Sequence, residues 1–108
     1  MGRAKRGNVF RFLESDGTVT DKMVLVISPD WRSQSKIVSG LMLGTKSSSF
    51  DDETWLSGQF SGYVIHAGLL TYVRRAQLGE QVGAIKPEEV ESILYDIRIH
   101  ILGDEEGD

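Results

Sequence analysis

The chain has 108 residues, 40% of them hydrophobic and 26% charged, which is enough for one compact domain and too few for two. The absence of cysteine excludes disulfide frameworks, thiolate metal sites and Cys nucleophiles, and the two histidines, His66 and His100, stand too far apart in sequence for a helical or finger-type metal pair. With 12 Lys+Arg against 16 Asp+Glu the net charge is −4, which argues against broad non-specific nucleic-acid binding and leaves room for a local basic patch. No cofactor and no metal are expected.

No apolar run approaches the ~18 residues of a membrane span. The basic start, Met1-Gly2-Arg3-Ala4-Lys5-Arg6-Gly7, is not followed by an apolar segment of signal-peptide type, so a cytoplasmic protein without membrane contact is expected. The pattern reads as a single domain over 1–108, with a basic N-terminal tail at 1–6 and an acidic C-terminal tail at 104–108.

Along the chain, Asn8–Leu13 carries Val9, Phe10, Phe12 and Leu13 and reads as a strand that stops at the turn chemistry of Glu14-Ser15-Asp16-Gly17. Met23-Val24-Leu25-Val26-Ile27 is an unbroken apolar run of the kind that forms a central strand buried on both faces. A polar loop follows, with a short helix over 30–36 capped by Asp30 as one reading. Residues 37–43 form a third apolar stretch in which Gly40 suggests a bulge or bend, ending in the polar loop Gly44-Thr45-Lys46-Ser47-Ser48-Ser49.

Residues 54–59 and 63–73 read as further strands, the second divided at Gly68, and residues 81–85 as the last. Pro87 stands at a first helical position, with Glu88, Glu89 and Glu91 complementing the positive end of the dipole and Gly103 placed as a stop. Val90, Ile93, Leu94, Ile97 and Ile101 repeat at helical spacing and form one core-facing stripe. Roughly five to seven short strands and one closing helix give a mainly β, α+β domain built as a small barrel or strongly bent sheet.

Four segments, in order and at matching intervals, resemble the MazF/PemK (Kid-like) toxins of bacterial toxin–antitoxin systems. Arg6-Gly7-Asn8-Val9 is similar to the family's opening Arg-Gly-Asp/Glu-Val/Ile, and Val24-Leu25-Val26-Ile27-Ser28-Pro29 to its second strand. Leu56-Ser57-Gly58-Gln59 resembles a strand edge of some members, and Val82-Gly83-Ala84-Ile85-Lys86-Pro87-Glu88-Glu89-Val90 resembles the closing strand and helix. The resemblance spans residues 6–103. It implies an SH3-like barrel with a C-terminal helix, a homodimer, and a metal-independent endoribonuclease that cuts single-stranded RNA and is blocked by an antitoxin protein.

Such cleavage needs the 2′-hydroxyl deprotonated, a cation at the phosphate and a proton donor for the leaving oxygen. In the family the cation is largely an Arg opening the second strand, and a Thr or Ser after the third strand helps hold the phosphate. Counted from the shared Ser-Pro pair, these positions fall on Lys22 and Thr45. Lysine keeps the charge without the planar guanidinium fork. Met23 stands in place of the family's Pro, and the loop over 14–21 is shorter than usual and lacks the Gly-x-x-Glu-Gln pattern.

His66 is the candidate base, near the place where some members carry a functional Arg or Asp; its neighbours Ile65 and Ala67 favour the alternative, a strand histidine with a satisfied hydrogen bond. Arg74 and Arg75, with Arg11 and Lys46, are candidates to line an RNA groove, or else mark strand ends at the surface. Trp31, beside Arg32, offers a stacking surface for a base. The competing reading is a non-catalytic barrel that binds a protein partner, such as a gyrase-type target or an antitoxin-like peptide.

Overall fold

The computed structural model describes residues 4–29, 35–45, 53–66, 70–100 and 103. Two antiparallel strands open the chain, β1 (Asn8–Leu13) and β2 (Val19–Val26). Their connection is closed by Glu14 and Thr18: the Glu14 N–H donates to the Thr18 carbonyl at 2.9 Å, and the Gly17 N–H donates back to the Glu14 carbonyl at 2.8 Å. Gly17 turns through φ +90°, a conformation that side-chain-bearing residues rarely adopt. The Asp16 carboxylate accepts the Thr18 N–H at 2.9 Å, and hydrogen bonding from Thr18 holds that carboxyl below its usual range.

β3 (Ile37–Thr45) is the strand the others are built around. Its first half pairs with β6 (Thr71–Arg74), its middle with β2, and its end with β5 (Tyr63–His66), which also carries the short β4 (Glu53–Trp55). β7 (Leu78–Ala84) pairs with β1, giving the order β4-β5-β3-β2-β1-β7 with β6 beside β3. Gly40 is not a bulge. It sits in regular register opposite Val26 on one side and Thr71 on the other, and glycine is needed because a Cβ would stand 2.7 Å from Val24 Cγ2 and 3.1 Å from the Leu25 carbonyl.

Both faces of the sheet are covered, as the unbroken apolar run requires: Val24, Leu25 and Val26 are each 0% exposed. One face, through Val9, Leu25, Leu41, Leu43 and Ile65, packs against α1 (Pro87–His100), which contributes Val90, Ile93 and Ile97. The other gathers Ala4, Phe10, Val24, Val26, Val38, Val73 and Leu78. The basic tail is therefore anchored at its described end, with Ala4 buried and the Arg6 Nε donating to the Ile27 carbonyl at 2.8 Å.

The mainly β reading with a closing helix holds, and three boundaries differ most. β2 begins at Val19 and β7 at Leu78, earlier than their apolar runs, because pairing with β1 extends them through polar residues. The strand expected over 54–59 ends at Trp55. Gly58, at φ +63°, turns the chain into a 3-10 turn, Gly58–Phe60, so that Leu56 and Phe60 both reach the core. The stretch over 63–73 is divided into β5 and β6 as anticipated. Gly68, most of the 30–36 helix reading, Ile101 and the acidic tail lie outside the described residues.

Candidate functional site

Lys22 owes its position to a mismatch between β1 and β2. The register runs Arg11↔Met23 and then Leu13↔Val19, so two steps along β1 are matched by four along β2, and residues 20–22 form an enlarged bulge. The Thr20 hydroxyl spans it, donating to the Phe12 carbonyl at 2.7 Å and accepting the Lys22 N–H at 3.1 Å. An Arg11 guanidinium nitrogen donates to the Asp21 carbonyl at 3.3 Å from the other side.

In a regular strand Asp21 would point away from Thr20 and Lys22. Here all three line one open cavity of about 500 Å³, together with Phe12, Glu14, Ser15 and Gln77. The cavity thus holds an ammonium, two carboxylates, two hydroxyls and an amide above an aromatic wall. Such a set can grip an anion at one point and accept a proton at another.

Thr45 ends β3 opposite Tyr63. Pairing of β2 with β3 stops at Val24↔Met42, and beyond it the two strands run on in the same direction, β2 back to Lys22 and β3 forward to Thr45. The fold therefore brings these positions to one end of the sheet; only the backbone of Thr45 is within the described part. His66 does not join them. It lies three residues along β5 from Tyr63, opposite Glu53 and level with Met42, and is only 8% exposed. Its imidazole does not line the Lys22 cavity, so the base expected from the sequence is not beside the cation.

Among the candidate RNA-contacting residues, Arg11 alternates with Phe10 and Phe12 and so leaves β1 on the opposite face, where its guanidinium supports the bulge. Arg74 is exposed at the end of β6. Arg75 opens a 3-10 turn, Arg75–Gln77, anchored by its N–H to the Lys36 carbonyl at 2.7 Å. It lines a second cavity of about 200 Å³, with Ala4, Phe10, Leu78, Gly79, Glu80 and Gln81. Lys46 and Trp31 lie outside the described residues.

Sequence reading missed Thr20, Asp21 and Gln77, whose membership depends on a register slip that no periodicity signals. Among the described residues no three His, Cys, Asp or Glu side chains are grouped to hold a metal ion, and no helix is long and apolar enough to cross a membrane.

No family model and no curated protein matches the chain. Solved structures do. The chain is similar to the MazE–MazF crystal structure (Form-I) from Deinococcus radiodurans with a TM-score of 0.78 at 15% identity, over 95% of this chain and 99% of that one. An endoribonuclease from a mycobacterial species superposes with a TM-score of 0.73 at 21% identity, over 91% and 90% of the two chains. The Mycobacterium tuberculosis toxin MazF-mt6 gives 0.66 at 14% identity, over 84% and 92%. The chain has the fold of these proteins along nearly its whole length, as the resemblance of the four segments implied.

Proposed function

We propose that this protein is a toxin-type endoribonuclease that cuts single-stranded RNA and is held in check by an antitoxin protein, acting as a homodimer in the cytoplasm. The observation that carries this reading is the bulge that turns Lys22, Thr20 and Asp21 into one open cavity at the Thr45 end of the sheet. The fold it shares with a mycobacterial endoribonuclease in complex with its cognate antitoxin adds support; that structure is 22% identical with a TM-score of 0.75.

In the reaction, the ribose 2′-oxygen attacks the adjacent phosphorus while the bond from phosphorus to the 5′-oxygen breaks, leaving a 2′,3′-cyclic phosphate and a 5′-hydroxyl. One proton leaves the 2′-hydroxyl and one reaches the departing 5′-oxygen, so a base and an acid are both required. Lys22 is the group that meets the negative charge growing on the phosphoryl oxygens and protonates the leaving oxygen. Thr45, at the same end of the β2–β3 ladder, holds the phosphate. Glu14 and Asp21, which line the cavity with Lys22, take up the 2′-proton in this reading in place of His66, which is buried and outside that cavity.

The test is incubation of the purified chain with mixed-sequence single-stranded RNA in EDTA. New 5′-hydroxyl ends should form, and Lys22→Ala should lower the rate by about 10²–10³-fold, the scale of losing one transition-state charge contact. Lys22→Arg should retain cleavage. Intact RNA at high protein concentration would return the chain to a partner-binding barrel, and undiminished cleavage by Lys22→Ala would remove the cavity from the reaction.

A further inference from the structure

We infer that the second cavity, between Phe10, Arg75, Leu78 and Glu80, is a seat for a single nucleobase, and that the base it selects is guanine. This rests on the RNA reading of the Lys22 cavity for the course of the backbone and goes beyond it in assigning a recognition site.

The cavity is about 200 Å³, below the roughly 300–1,000 Å³ of sites for drug-sized ligands and suited to one planar heterocycle. Its floor is apolar: Ala4, Phe10 and Leu78 are 1%, 5% and 7% exposed. Its rim is polar, with Arg75, Glu80 and Gln81. Like the Lys22 cavity, it depends on a register slip against β1. The pairs Phe10↔Gln81 and Phe12↔Leu78 set three steps on β7 against two on β1, so the adjacent residues Glu80 and Gln81, which a regular strand would turn to opposite faces, line the same space.

The two cavities are neighbours. Phe10 borders one and Phe12 the other, and alternate residues of a strand share a face at a separation of about 6.5–7 Å, the reach of one nucleotide along an extended backbone. A phosphate at Lys22 therefore leaves an adjacent base over Phe10.

The rim identifies the base. A guanidinium only donates hydrogen bonds, a carboxylate only accepts them, and the Gln81 amide does both. Guanine presents two adjacent donors, N1–H and the N2 amino group, to a carboxylate, and acceptors at O6 and N7 to an arginine. Adenine and cytosine place an acceptor beside their single amino donor, which would face the Glu80 carboxylate unfavourably. Uracil brings one N–H flanked by two carbonyls. Only guanine satisfies the carboxylate at two points while leaving acceptors for Arg75.

Two measurements test this on the full chain. The first maps cut ends on a degenerate RNA for wild type, Glu80→Gln and a control, Glu91→Gln, whose position borders a different cavity at the start of α1. The second measures binding of short 2′-deoxy oligonucleotides, otherwise uridine-based, that carry one guanine, inosine or adenine. Guanine should be enriched at one fixed position beside the cut, and Glu80→Gln should reduce that enrichment about 10-fold or more while Glu91→Gln leaves it intact. Inosine, which lacks the N2 amino group, should bind between guanine and adenine.

Cleavage with no guanine preference, or with one indifferent to Glu80→Gln, would overturn the seat and leave the nuclease reading standing. Guanine-selective, Glu80-dependent binding without cleavage would do the reverse. Neither cleavage nor selective binding would remove both.

Discussion

Replacing Thr20 with valine isolates what the bulge contributes. Valine matches threonine in shape and in strand preference, so the change removes the hydroxyl and little else. Two hydrogen bonds are lost, the 2.7 Å donation to the Phe12 carbonyl and the 3.1 Å acceptance from the Lys22 N–H. Each would be worth about 0.5–1.5 kcal/mol net. Because Lys22 is exposed and Phe12 half-buried, water replaces part of what is lost, which places the sum at about 1–2 kcal/mol. In a chain of this size that lowers Tm by roughly 4–10 °C.

The effect on cleavage should exceed the effect on folding. The hydroxyl joins the backbone of Lys22 to that of β1, and in the proposed reaction its loss would leave the ammonium without a fixed approach to the phosphate. A misplacement of ~1 Å can cost on the order of 10²-fold. Single-turnover cleavage well below Tm should show kcat falling by about 10- to 100-fold with KM changed less than about threefold, the pattern of lost orientation. Thr20→Ser, which keeps the hydroxyl, should recover most of the rate. Wild-type Tm and rate in Thr20→Val would refute the reasoning, as would a serine variant no better than valine.

The remaining predictions concern the scaffold. Gly40→Ala places a methyl 2.7 Å from Val24 Cγ2 and 3.1 Å from the Leu25 carbonyl, at two residues with no exposure, so overpacking should cost about 1–3 kcal/mol. Urea denaturation should show a lower midpoint at unchanged slope, and a wild-type midpoint would contradict the close packing. Asp16 should titrate below its usual 3.8, since hydrogen bonds from Thr18 favour the carboxylate. A depressed folded-state value means that its contribution to the turn is present at neutral pH and fades as pH falls through that value. An NMR titration checks this, and Thr18→Val, which deletes the largest cause, should bring the midpoint back towards 3.8.

What could be read in the sequence follows from where the forces are local. β1 was bounded correctly at both ends because Val9, Phe10, Phe12 and Leu13 meet a turn whose residues set their own hydrogen bonds. α1 starts at Pro87 because proline and the glutamates after it act within a single turn. The first half of β2 had no such mark. Val19-Thr20-Asp21-Lys22 has neither alternation nor an apolar run, and it becomes strand only because the closed turn at 14–18 lays it against β1. The strand expected over 54–59 included Leu56 and stopped short of Phe60; Gly58 turns the chain so that both are buried.

The site was legible in its chemistry and hidden in its geometry. Lys22 was singled out by the resemblance, counted back from the Ser-Pro pair, and Arg75 by its charge at the end of a strand. What makes each part of a cavity is a count: how many residues lie between a turn and the first paired apolar residue. One residue fewer between Val19 and Met23 would turn Lys22 to the face that Arg11 occupies, since each single-residue slip reverses a strand's faces. The same parity separates Arg11 from Phe10 and Phe12 and leaves it bonded to the Asp21 carbonyl instead of facing the cavity. β1 itself is regular in its alternation, and both neighbours slip against it, β2 at 20–22 and β7 at 79–80 and again at 82. A straight strand of aromatic residues between two bulged ones sets polar groups from both sides over a single apolar floor, and a polar rim over that floor is what a single-stranded nucleic acid, with flat bases and a charged backbone, requires.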